Sequence, residues 1–310
     1  MSATDFFQAY SAKRRTLYAV LAIVLAVLIA GFWNFRLVDE FGAEFVAGNT
    51  IGDTAALADE YATRGSAFGL VFAAIAGLAA TFTACNCVVF AMLPGLTCPI
   101  DRSARKPSAL GTFTVFVAGV LVVSGVYGLV IGFLGPEVVE SLNQTGARFA
   151  QAHVVFTAIG SFMLIWGLLE MGFADNLVRA IPESVRNTLG STTTKGAILG
   201  VLVGLFAVGR PFPVFREFLA YAASANNPLY GAITMMIQGI GQIAVMALLF
   251  FIVIYFGKNR IMAVANRTPY KFRMLSALAL LAGGSYFLYY WGLSLAFDVG
   301  QWGFKLGWYA

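Results

Sequence analysis

Charged residues make up only 11% of this 310-residue sequence. Globular chains carry about a quarter, so there is too little charge here to cover a water-facing surface. Histidine occurs once and cysteine three times, which excludes a histidine-rich metal site and a disulfide scaffold. No phosphate loop, Ser-His-Asp set or zinc-ligand spacing is present. What is abundant is apolar: 59% of residues are hydrophobic and the mean hydropathy is +0.80. The composition is that of an all-α polytopic protein embedded in a lipid bilayer. The net charge of +5 is no nucleic-acid signal, because the basic residues cluster beside the apolar runs and so report topology.

Apolar runs near residues 16–34, 66–94, 108–135, 150–173, 194–224, 228–257 and 274–298 can each cross a hydrocarbon core of about 30 Å, which predicts seven transmembrane helices. Lys13-Arg14-Arg15 ahead of the first run resembles a signal peptide, but no small-x-small cleavage site follows, so this segment is read as a retained helix. Lys and Arg concentrate before the first helix, in 101–107, between the fourth and fifth helices and in 258–273. These are the expected cytoplasmic segments, with the N-terminus inside, the C-terminus outside, and a bacterial inner membrane as the expected location. Arg36, Arg64, Arg148 and Lys305 fall in the opposite connections. The first of these, with Asp39, Glu40, Glu44, Asp53, Asp59 and Glu60, reads as a solvated loop, with a partner surface as the alternative.

The second and fifth runs are too long for one straight crossing, and both are interrupted by unusual residues. With Gly77-Leu78 laid on Gly204-Leu205, Cys85 and Cys87 fall within one residue of Pro211 and Pro213. Helices two to four therefore form a unit repeated by five to seven. An odd number of crossings per unit makes the repeat inverted, and broken helices are how many transporters place a site at the midplane. The expected organisation is an N-terminal segment and first helix (1–35), an acidic extracytoplasmic loop (36–65), repeat A (66–173), a cytoplasmic linker (174–193), repeat B (194–298) and an extracytoplasmic tail (299–310).

Cys85-Asn86-Cys87 is the sharpest chemical feature. In a continuous helix its two side chains would point about 200° apart, so a redox or chelating role needs the helix to unwind there. Inert packing is the competing reading. A disulfide between them would close a strained, reducible ring. Cys98 follows Pro94 and is either a resolving thiol or a loop cysteine. Arg210, Arg216 and Glu217 lie within the fifth run and Glu170 at the inner end of the fourth. Such charges face a cavity, pair with one another, or snorkel at the interface. An arginine beside a thiol would raise its thiolate fraction. His153 reads as a structural group, and Gly119, Gly125, Gly128, Gly132 and Gly135 as close-packing positions.

At these residues the sequence resembles the CcdA/DsbD family, the cytochrome c biogenesis transmembrane proteins that carry electrons by thiol-disulfide exchange. The resemblance covers helices two to seven. It runs through the glycine-spaced 116–135, the stretch Gly167-Leu168-Leu169-Glu170-Met171-Gly172-Phe173, and both interrupted helices. It implies that each repeat opens on a helix broken around a proline-flanked cysteine, with a thioredoxin-like cytoplasmic donor, an extracytoplasmic thiol acceptor and no bound cofactor. Cys85, Cys87 and Cys98 would then be the catalytic residues. Pro94, Arg210, Pro211, Pro213, Arg216 and Glu170 would support them. The sequence departs from the family at Phe212, where a cysteine would be expected between the prolines, and in its extra first helix. Three functions follow: a membrane thiol-disulfide carrier working through Cys85 and Cys87, a non-catalytic subunit or assembly factor of a larger membrane complex, and a soft-metal-ion transporter.

Overall fold

A computed structural model of the chain describes residues 10–83, 109–174, 182, 188 and 191–309. Cys85, Cys87, Pro94, Cys98 and most of the 174–193 linker lie outside the described residues. Seven helices are long and apolar enough to span a membrane, as the sequence predicts, and no strand occurs among the described residues. The helices are α1 (Ala12–Gly31), α2 (Tyr61–Ala80), α3 (Ala109–Asn143), α4 (Thr145–Glu170), α5 (Thr192–Gly209), a short α6 (Pro213–Ala223), α7 (Pro228–Arg267) and α8 (Pro269–Phe287). The last span continues beyond α8 through a π-helical turn, Leu288–Leu293, into Ser294–Phe297. Local chemistry sets several boundaries. The Ser191 side chain accepts from the Thr194 amide at 3.1 Å to cap α5, and Pro213 and Pro269 occupy first turns, where a missing N–H costs nothing. Gly135, at φ 75°, bends α3 immediately before Pro136.

Helix pairing follows the small residues. α3 and α7 cross antiparallel: Gly128 sits on Gly231, Ser124 lies by Gly239, and the Phe113 and Phe250 rings stack 4.3 Å apart. A Cβ on Gly128 would stand 2.1 Å from the Gly231 carbonyl oxygen, and one on Gly231 would stand 2.3 Å from that of Gly128. α2 runs parallel to α7, with Gly69 against Tyr230 and Gly77 against the Gln238 carbonyl. α5 runs parallel to α3, with Gly196 against Thr112 and Gly200 against the Phe116 carbonyl. α4 and α8 are antiparallel through Gly160 with Gly284 and Gly167 with Leu281. Exchanging α2 with α5, α3 with α7 and α4 with α8 interchanges the α2–α7 and α5–α3 pairings and returns the α3–α7 and α4–α8 pairings to themselves. That is the contact pattern of an inverted repeat of two three-helix units. In a membrane such close approaches hold helices together by packing, since lipid offers no hydrophobic drive between them.

α1 lies outside the repeats against α8, with the Tyr10 and Tyr270 rings 6.0 Å apart at one end and Phe32 against Trp302 at the other. Arg15 reaches across to the Met171 carbonyl oxygen at 2.7 Å. The first and last described residues, Tyr10 and Tyr309, therefore lie at opposite ends of the bundle, called here the N-terminal and C-terminal faces.

The acidic connection corrects the expectation of a solvated loop. Its segment Phe41–Gly48 forms a π-helix that drops onto the bundle. Ala47 and Leu57 are buried, and a Cβ on Gly42 would lie 2.7 Å from the Ala79 carbonyl oxygen and 3.1 Å from the Phe212 ring. The acidic residues made this segment look soluble, while its core contribution comes from phenylalanine, alanine and glycine between them.

Candidate functional site

The break in repeat B is made by its prolines. Arg210 and Phe212 are both extended, with ψ of 119° and 128°, because each precedes a proline whose ring clashes with a helical predecessor. α5 thus stops at Gly209 and the chain restarts as α6 at Pro213. Pro211 and Pro213 act here as the sequence predicts. In repeat A, α2 stops at Ala80 and turns through Thr81–Thr83, where the described residues end. The Thr81 hydroxyl donates toward the Gly241 and Gln242 carbonyl oxygens, at 3.2 and 3.0 Å, fixing this end on α7.

The turn that ends α2 and the break in repeat B face one cavity of about 420 Å³, open toward the C-terminal face. Thr83 from repeat A and Arg210, Pro211 and Phe212 from repeat B are among the residues that line it. Phe212 is 2% exposed and packs into the core that also holds Phe72, Phe215 and Ala47. Where the family resemblance implies a cysteine, the chain has a ring that fills space beneath the π-helical segment.

Three guanidinium groups line the cavity. Arg210 is 1% exposed. It lies close enough to Asp39, on the short helix Phe35–Glu40, for its charge to act on that carboxylate. Arg148 is fully buried and held entirely by neutral acceptors: Asn143 Oδ1 at 2.7 and 3.2 Å, Gln151 Oε1 at 3.0 Å and the Tyr127 hydroxyl at 3.3 Å. Its guanidinium also sits 6.0 Å from the centre of the Phe215 ring. Arg216, on the first turns of α6, donates to the Asn143 carbonyl oxygen, and the Asn143 amide returns a bond to the Arg216 carbonyl oxygen at 2.9 Å. One asparagine thus yokes two like charges.

Arg148 corrects the sequence reading, which put it in a connection. Only Gln144 separates α3 from α4, so Arg148 falls within the first turns of α4 and points into the bundle. Asp39 was likewise hidden among five other acids of the same loop. The available signal was Trp33-Asn34-Phe35, an aromatic pair around an N-cap residue that turns the chain back over the bundle. The Asn34 side chain accepts from the Leu37 amide at 3.2 Å.

Glu170 does not join this site. It lies at the N-terminal face, paired with Lys195 and, at 3.6 Å, with Arg273, and it accepts from Trp166 Nε1 at 3.3 Å. This is the structural ion-pair role, filled by partners other than Arg210 and Arg216. Glu217 lines a separate recess with Ala58 and Arg216. His153 Nδ1 is 2.6 Å from the Trp291 carbonyl oxygen, the structural role expected for it. Comparison of the chain with family models, with curated proteins and with solved structures gives no match.

Burial pushes the Asp39 carboxyl up from 3.8 to about 6, against the opposing pull of Arg210. The fold therefore binds this proton more tightly than the unfolded chain does. The stabilisation is fully present below about pH 4 and is lost as pH rises through about 6. Thermal melts of the detergent-solubilised protein between pH 4 and 7 should contain a declining component that Asp39→Asn removes. Parallel pH profiles for the two proteins would contradict this assignment.

Proposed function

We propose that the chain is an integral membrane thiol-disulfide carrier of the CcdA/DsbD type, with Cys85 and Cys87 as its working pair. The observation that carries this reading is the shared cavity: Thr83, two positions before Cys85 in sequence, lines the same cavity as Arg210 and Pro211. A thiol at that cavity would meet guanidinium charge, which favours the thiolate, the nucleophilic form in disulfide exchange. Each turnover takes two electrons and two protons from the dithiol as the disulfide forms. A thioredoxin-like dithiol donor on the N-terminal face, exchanging through Cys98, would restore the dithiol and leave as its own disulfide, and the disulfide of a thiol-disulfide partner on the C-terminal face would accept the electrons and become a dithiol. Lys13, Arg14, Arg15, Lys195 and Arg273 gather at the N-terminal face, which supports a cytoplasmic assignment for it and a bacterial inner membrane as the setting.

The test is a Cys85→Ser/Cys87→Ser double variant in inverted membrane vesicles supplied with reduced thioredoxin. Reduction of a disulfide probe on the far side should fall to the rate of vesicles without the protein. An unchanged rate would end this reading. A second reading, a non-catalytic subunit or assembly factor on the same scaffold, is favoured by Phe212, whose buried ring occupies the second-repeat position where a partner cysteine would stand. A stable complex surviving native purification, with the double variant fully functional in it, would select that reading.

A further inference from the structure

The cavity carries more positive charge than its own walls neutralise. Asp298, at its mouth, is engaged by Lys305 at 3.0 Å. Asp39 faces Arg210. Among the described residues, neither Arg148 nor Arg216 has a carboxylate within ion-pair distance. Glu217, whose charge acts on Arg216, lies in the neighbouring recess and not in the cavity. Burying a guanidinium on neutral acceptors is costly, and placing a second one across a shared asparagine raises that cost. An anion between them would relieve both. The backbone adds to the same field: α4 begins at Thr145 and α6 at Pro213, both of which line the cavity, so two helix N-termini of substantial length end at this space.

Size and walls narrow the class of anion. A volume of about 420 Å³ lies within the range of about 300–1,000 Å³ typical of small-molecule sites, and it is several times what a bare inorganic oxyanion fills. The same cavity is also lined by Trp33, Phe149, Tyr286, Tyr290 and Trp291. Tyr286 and Tyr290 are stacked with their planes 6° apart, and Tyr290 and Trp291 meet nearly at right angles. Such a wall offers flat apolar contact, and guanidinium forks match carboxylate and sulfonate oxygens in pairs.

We propose that this cavity is a binding site for a small organic anion, a carboxylate or sulfonate carried on a flat, largely apolar body, entering from the C-terminal face. The anionic group lies between Arg148 and Arg216 and the body lies against the tyrosine and tryptophan wall. The site does not depend on the cysteines and stands or falls apart from electron transfer. Asp39, set against Arg210, adds negative charge to the same cavity and opposes a bound anion. With Arg148, Arg210, Arg216, Asp298, Tyr286 and Tyr290 as the other ionisable groups around the cavity, lowering the pH through the range in which Asp39 gains its proton tightens binding.

The probe is benzenesulfonate, ionised at every pH used, with neutral benzenesulfonamide as its matched control. Both are titrated into the full-length protein in detergent, with tryptophan fluorescence as the readout, since Trp33 and Trp291 face the cavity. Saturable quenching by the sulfonate, at least tenfold weaker for the sulfonamide, is expected. Arg216→Gln and Arg148→Gln should each weaken sulfonate binding at least tenfold, while Arg216→Lys keeps most of it. The Cys85→Ser/Cys87→Ser protein should bind as the parent does. Arg216 is only partly buried, so its variants remain interpretable if Arg148→Gln fails to fold. Equal quenching by both probes, or quenching untouched in Arg216→Gln, would overturn the proposal. So would inorganic sulfate protecting as well as benzenesulfonate, or native mass spectrometry showing an anionic phospholipid in the site that the sulfonate does not displace.

Discussion

Gly231→Val should cost about 3 kcal/mol or more of stability and remove most folded protein from detergent extracts. The added Cβ alone would lie 2.3 Å from the Gly128 carbonyl oxygen, and the obstacle is backbone, which has no rotamer to yield. The crossing cannot open locally, because α3 and α7 are central to both repeats: α5 packs on one and α2 on the other. Gly128→Val should do the same from the opposite helix. Gly146→Val is the control, since nothing lies within 4 Å of a Cβ there, and its effect should stay within about 0.5 kcal/mol. Fluorescence-detected size exclusion combined with thermal melts reads all three. A Gly231→Val protein that melts with the Gly146→Val protein would contradict the crossing.

Glu170→Gln is expected to destabilise by about 3 kcal/mol, because it leaves Lys195 and Arg273 half-buried at the N-terminal face with their shared acid gone. Arg273 Nε keeps its bond to the Glu170 carbonyl oxygen at 3.1 Å, so Lys195 bears most of the loss. Adding Lys195→Met to Glu170→Gln should therefore recover a substantial part of it. A cycle of the two single variants and the double gives the coupling directly. Additive effects would show that the pair is only a surface contact. Because this cluster is remote from the cavity, Glu170→Gln should leave benzenesulfonate affinity unchanged in whatever protein still folds.

The fold was legible because membrane solvent leaves the sequence few choices. Runs of apolar residues the length of a bilayer have to be helices, and matching Gly77-Leu78 to Gly204-Leu205 exposed a repeat that the pairing of α2 with α7 and of α5 with α3 now displays. The prolines gave the position of the repeat B break because each constrains the residue before it. The site was only partly legible. Arg210 and Arg216 were found because charge inside an apolar run stands out, whereas Arg148 was assigned to a connection because hydropathy blurs where a one-residue turn ends and a helix begins. Asp39 was masked by its acidic neighbours, since charge in sequence does not say which carboxylate the fold turns inward. Glu170 was recognised as unusual, but its partners are distant in sequence and neither lies in the repeat break.

The proposed exchange of electrons through Cys85 and Cys87 is tested most directly by differential alkylation and mass spectrometry on native membranes, with and without reductant, resolving Cys85, Cys87 and Cys98 separately. A disulfide joining Cys85 to Cys87, or either of them to Cys98, that forms and is reduced reversibly is the result the account predicts. Three thiols that stay reduced and unreactive under both conditions would contradict it.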